Sequence, residues 1–132
     1  MEIKGRIFSG WGQGAFFTQL DWTKKQCDEK LKFVPFPGTL NLKVEGEYLD
    51  AVRKLKERDG IILDPPSTEF CQAKCFSISI SSFKAAIVVP HAEDFTNEIH
   101  SENVIEIIAP INIKEALSVK DGDELILELE EK

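Results

Sequence analysis

The chain holds three cysteines, two histidines, one methionine and one tyrosine, and its 16 Lys and Arg residues are outnumbered by 23 Asp and Glu. Each shortage removes a class of function. Cys71 and Cys75 stand four apart in an alternating segment, but no second cysteine pair accompanies them. With His91 and His100 as the only imidazoles, no familiar zinc signature can be written, and the thiols are expected to be buried as small hydrophobes. The formal net charge of -7 repels nucleic-acid phosphates, so no nucleic-acid partner is expected. No apolar run nears the roughly 20 residues that a spanning helix needs, so no membrane partner is expected. The opening MEIKGRIFSG lacks the apolar stretch of a secretory signal. An odd cysteine count without such a signal fits reduced thiols and a cytoplasmic protein. Neither a G-x-G-x-x-G run nor a Gly-Lys-Ser/Thr phosphate loop occurs.

What remains is one domain over residues 1–132, 42% hydrophobic and 30% charged, with apolar material for a single core. Alternation predicts strands over Glu2–Phe8, Thr39–Val44 and Phe70–Ile80, with Ala15–Leu20 as a possible continuation of the first. Shorter strands are expected over Ile61–Leu63, Ala85–Val89, Val104–Ala109 and Glu124–Leu129. Helical spacing predicts helices over Asp21–Leu31, capped near Asp21, and over Tyr48–Arg58, with one or two helical turns in Ile111–Leu117. Asp121-Gly122-Asp123 signals a hairpin turn before the last strand. The fold class is therefore mainly β, with six to eight strands and two or three short helices, a count that suits a small closed barrel.

Two segments invite chemistry. In Gly10-Trp11-Gly12-Gln13-Gly14, alternate glycines allow backbone N–H groups to converge on a phosphate. The same pattern also suits a tight turn or bulge at a barrel corner. In Pro37-Gly38-Thr39-Leu40-Asn41, the two-residue spacing sends Thr39 and Asn41 to one face of a strand. A hydroxyl and an amide oxygen are hard ligands that suit Mg²⁺ when substrate phosphates supply the charge. They equally suit the polar outer face of an ordinary strand.

Taken in order, the segments Gly10 to Ala15, Pro37 to Lys43, Ala86 to Pro90, Val104 to Pro110 and Lys120 to Asp123 resemble the archaeal-type CTP-dependent riboflavin kinases from about Ile3 to Leu129. The resemblance implies a compact six-stranded barrel of the cradle-loop type. It implies transfer of the CTP γ-phosphate to the terminal ribityl hydroxyl of riboflavin, giving FMN and CDP, with Mg²⁺ as cofactor. Gly10, Trp11, Gly12, Gln13, Gly14 and Ala15 would wrap the phosphates. Thr39 and Asn41 would bind the metal. Glu106 would face the ribityl chain and act as the catalytic residue, while Thr96 would help hold the flavin. Ile111, Asn112, Ile113 and Lys114 would lie against the cytidine. Riboflavin or FMN and CTP or CDP are the implied partners, taken up by a monomer or weak oligomer.

The chain departs from the family pattern in three places. Ile113-Lys114-Glu115 stands where Leu-Arg-Glu is usual, so the planar fork of arginine is lost. The loop between Pro90 and Val104 is about two residues longer, and Gln13 replaces a commonly acidic residue. The competing readings are a non-catalytic barrel that binds flavin or nucleotide and an AbrB-like interaction module. Trp11 suits a stacking role or a cover over the barrel end. Phe16, Phe17, Phe33 and Phe36 read as core, Phe36 also as a pocket wall.

Overall fold

A computed structural model describes residues 1–9, 18–66, 72–90 and 103–130. Seven strands form one antiparallel sheet: β1 (Glu2–Phe8), β2 (Leu40–Val44), β3 (Ile61–Leu63), β4 (Ala73–Ile80), β5 (Phe83–Pro90), β6 (Val104–Ile108) and β7 (Glu124–Leu129). Their order is β3-β4-β5-β6-β2-β1-β7, and a further β4–β7 pairing closes six of them into a barrel. β3 and β7 share one edge of β4: Ile61 pairs with Cys75, and Leu129 with Ile78 further along. The expected six-stranded barrel is thus present, with β3 as an addition.

Alternation explains the interior. Ile3 and Ile7 of β1, Leu40, Leu42 and Val44 of β2, and Leu125, Leu127 and Leu129 of β7 all point inward and are buried together. Gly5 lies between the two inward isoleucines because a Cβ there would stand 3.0 Å from that of Leu42. The helix α2 (Tyr48–Glu57) packs Val52 and Leu55 into the same core, and the short helix α3 (Ile113–Leu117) adds Ile113. Gly60 turns the chain from α2 into β3 at φ +64, where a Cβ would stand 2.9 Å from both the Cys75 carbonyl and the Phe76 ring.

A second core lies outside the barrel. The helix α1 (Asp21–Gln26) widens into a π-helical turn, Cys27–Leu31, which ends at Lys32 with φ 68. Cys27, Leu31 and Phe33 bury themselves against Ala73, Cys75, Ala86, Val88 and Ile108 on the outward face of β4, β5 and β6. Those strands are apolar on both faces, which accounts for runs such as Ala85–Val89. Gln26 ties α1 to the end of β3, accepting from the Asp64 N–H at 2.7 Å and donating to its carbonyl at 2.5 Å.

Several expectations need correction. Residues 18–19 are helical rather than a continuation of strand. α1 begins after Leu20, with no side-chain cap, so Asp21 is its first residue and not its cap. The Asp121 turn is no β-hairpin, because β7 pairs with β1 and β4 and the turn joins it to α3. The real two-residue hairpin joins β4 to β5 through Ser81 and Ser82, both at positive φ (48 and 76). Serines carry little of the usual Asn-Gly signal for that geometry. Phe16, Phe17, Phe70, Cys71, His91 and His100 lie outside the described residues, and with them the expected pairing of Cys71 and Cys75 on one face. Among the described residues no helix is long and apolar enough to cross a membrane.

Burial raises the Cys27 thiol to about 11 and the Cys75 thiol further still. The thiolate is the reactive form. Iodoacetamide at pH 8 should therefore leave both unmodified in the native protein and label them once guanidinium unfolds it. Rapid native labelling of Cys75, read by peptide mass mapping, would contradict this packing.

Candidate functional site

β2 is the strand from which the site is built. Leu40 and Leu42 fill the barrel, so Thr39 and Asn41 face outward, as their spacing requires. Asn41 lies opposite Phe8 of β1 on one side and opposite Glu106 of β6 on the other. Glu106 in turn pairs with Val88 of β5. One row across four strands thus places an amide beside a carboxylate. Thr39 joins them: its hydroxyl donates to Glu106 Oε1 at 3.4 Å, a long bond.

This face is not an ordinary solvated one. Asn41 is 6% exposed, and among the described residues its buried Oδ1 has no hydrogen-bond partner. An orphaned acceptor of this kind is costly and calls for an explanation. Glu106 is half-buried. Burial pushes its carboxyl above the ordinary range, against opposing effects from the Thr39 hydroxyl and, more weakly, from the positive charge of Lys56. Lys56 itself donates to the Val104 carbonyl at 2.9 Å, two residues before Glu106.

The turn before β2 is held from two directions. Gly38, at φ +109, donates its N–H to the Thr18 hydroxyl at 2.8 Å, and Thr18 is fully buried. Phe36 donates its N–H to the Ala109 carbonyl at 2.7 Å. Residues 36–40 and 107–114 therefore stand side by side and enclose a cleft of about 190 Å³. Thr39 lines it together with Ile111, Asn112, Ile113 and Lys114, and exposed Phe36 forms part of its wall. The segment expected to face a base and the threonine expected to hold a metal thus share one space. A larger cavity, about 620 Å³, opens at the edge of β4 between β3 and β7, lined by Arg58, Phe76, Ser77 and Glu130 among others. None of the expected site residues lies in it.

Within the cleft the side chains are already engaged. Asn112 caps α3, its side-chain oxygen accepting from the Glu115 N–H at 3.3 Å. Ile113 is buried in the barrel core. Lys114 Nζ bonds Asp121 Oδ1 at 2.8 Å. A ligand in this cleft would therefore meet backbone as much as side chain. Thr18 went unnoticed in the sequence, where a lone threonine after a Gly-rich segment carries no signal. Gly10, Trp11, Gly12, Gln13, Gly14, Ala15 and Thr96 lie outside the described residues.

Among the described residues no cluster of three or more His, Cys, Asp or Glu could cage a metal by itself. Magnesium is commonly held by one or two protein oxygens together with substrate phosphates. The unpartnered Asn41 Oδ1, with the Thr39 hydroxyl on the same face, fits such a site.

Two expected outcomes follow from this burial. Asn41→Leu removes an orphaned polar atom while keeping the branched shape and heavy-atom count, so the urea midpoint should hold or rise. A loss above about 2 kcal/mol would mean that the amide has a partner after all. A carboxyl raised by folding stabilises fully below its ordinary value, and that contribution fades as pH rises through the raised folded value. In buffer with EDTA, Glu106→Gln should therefore stabilise the protein at pH 8. The gain should vanish near about pH 4. A gain that is flat across that range would refute the assigned burial cost.

The family model CTP-dep_RFKase, described as "Domain of unknown function DUF120", matches residues 7–129. Similar curated proteins named riboflavin kinase include three from archaea. That of Archaeoglobus fulgidus is 39% identical, covering 93% of this chain and 52% of the relative. That of Pyrobaculum aerophilum is 40% identical, covering 98% and 60%. That of Methanosarcina barkeri is 34% identical, covering 98% and 56%. The chain thus spans between half and two thirds of the length of these relatives. The match over nearly all of its residues, together with the closed barrel and the cleft beside Thr39, places the chain in the CTP-dependent riboflavin kinase family.

Proposed function

We propose that the protein phosphorylates riboflavin to FMN with CTP as donor, releasing CDP. The observation that carries this reading is the buried, unpartnered Asn41 Oδ1 beside Glu106, whose carboxyl also receives the Thr39 hydroxyl. A barrel that only bound flavin would have no use for an orphaned oxygen held next to a half-buried carboxyl. The names of the relatives support the acceptor. The name of the family supports the donor.

Phosphoryl transfer rests on positioning and on charge stabilisation. In this reading the cytidine end lies in the cleft along Ile111 to Lys114, where backbone groups read the edge of the base. The Gly10 to Ala15 segment receives the phosphates, and Thr96 helps hold the flavin. Thr39 and Asn41 would hold a Mg²⁺ ion, whose charge would offset that of the phosphates. Glu106 orients the terminal ribityl hydroxyl. Its raised proton affinity suits it to take the hydroxyl proton as the new O–P bond forms and the bond to the CDP oxygen breaks. Cytoplasmic reduced thiols accord with the deep burial of Cys27 and Cys75.

Incubation with riboflavin, Mg²⁺ and either CTP or ATP, with FMN followed by chromatography, tests the reaction and its donor. FMN from CTP with little from ATP is expected. ATP alone supporting the reaction would overturn the donor, and no FMN from any nucleoside triphosphate would overturn the activity. Glu106→Gln should lower turnover about 100-fold while nucleotide still binds. Thr39→Ala and Asn41→Ala should each raise the Mg²⁺ concentration needed for half-maximal rate. An unchanged Mg²⁺ dependence in both would remove the metal assignment.

A further inference from the structure

The turn between α3 and β7 is fixed to the end of β1 by more bonds than a connecting turn requires. Ile7 donates to the Asp123 carbonyl at 2.9 Å, Gly122 donates back to the Ile7 carbonyl at 2.8 Å, and Arg6 reaches the Gly122 carbonyl at 2.8 Å. Asp123 locks the turn internally, its Oδ2 accepting from the Lys120 N–H at 2.9 Å and its own N–H donating to the Lys120 carbonyl at 3.0 Å. From this platform Asp121 makes two side-chain contacts. Its Oδ1 accepts from Lys114 Nζ at 2.8 Å, and its Oδ2 accepts from the Ser9 hydroxyl. Lys114 lines the cleft with Thr39, and Ser9 is the last residue before Gly10.

We propose that Asp121 is a positioning residue for the nucleotide end of the site, fixing Lys114 on one side and the exit of β1 at Ser9 on the other. The inference rests on the proposed kinase reading and deepens it. One carboxylate spans two segments far apart in sequence, each bordering a different part of the nucleotide in that reading: Lys114 the cytidine, Ser9 the start of the phosphate segment. The hydrogen bonds from Lys114 and then Ser9 hold the Asp121 carboxyl below its usual range, so it stays ionised through the neutral range. Both Lys114 and Asp121 are well exposed, and exposed pairs add little to stability. The arrangement therefore serves geometry. It also gives the lysine a task that does not need the arginine fork, because a single ammonium suffices to meet one carboxylate oxygen.

The test is steady-state kinetics of wild type, Asp121→Ala, Asp121→Asn, Ser9→Ala, Lys114→Met and the double variant Asp121→Ala with Lys114→Met. Asp121→Ala should raise the KM for CTP about tenfold and leave the KM for riboflavin within about twofold. Asp121→Asn, which can still accept from Ser9, should fall between it and wild type. The double variant should be no worse than the poorer single variant, since both changes break one chain of contacts. The melting temperature of Asp121→Ala should stay within a few degrees of wild type. An unchanged KM for CTP in a folded Asp121→Ala protein would overturn the role, as would equal rises for both substrates with a lowered melting temperature. A wild-type protein that forms no FMN would instead overturn the kinase reading beneath it.

Discussion

Closure of the barrel is the constraint on which the rest depends. Two residue pairs, Ile78 with Leu129 and Ser79 with Glu128, join β4 to β7 and turn an open sheet into a ring. Once the ring is closed, no strand can slide without displacing its neighbours. A one-residue slip of β2 would bring Asn41 into the barrel and push Leu42 out, exchanging a polar orphan for a core leucine. The row Phe8, Asn41, Glu106 and Val88 is therefore held by the packing of aliphatic side chains on the far side of the sheet. The polar groups do not hold themselves in place.

The distribution of charge follows the same logic. The chain is strongly acidic, yet the face around Asn41 offers uncharged oxygens and one carboxyl whose ionisation burial discourages. Neutral ligands suit a metal that arrives with negatively charged phosphates, because added carboxylates would repel them. Among the described residues, Glu124 and Glu128 of β7 carry exposed negative charge away from this face, where it favours solubility.

Much of this was legible in the sequence because period-two alternation is a strong signal over long strands. β1, β3 and β7 fall on the expected bounds, and the inward and outward faces of Thr39–Val44 were correctly assigned. The sequence was silent where the cause is tertiary. The π-helical turn at Cys27 serves a second core that no local pattern announces. The Ser81–Ser82 hairpin holds left-handed backbone with residues that do not advertise it. The burial of Asn41 was likewise invisible, since alternation gives its face but not what covers that face. The juxtaposition of Thr39 with residues 111–114 comes from pairing between distant strands, and only the family resemblance anticipated it.

The two described ends of the chain meet at one place. The Leu129 N–H donates to the Met1 carbonyl at 2.9 Å, and the Met1 amino group lies 3.6 Å from Glu128. β1 runs from there to Phe8, opposite Asn41, so this meeting point lies at the opposite rim from the cleft. A short peptide joining residue 130 to Met1 could bridge the ends, and the chain could be reopened elsewhere without losing a strand pair. For the same reason, residues 1 and 130 both leave the barrel at the rim opposite Thr39 and Lys114.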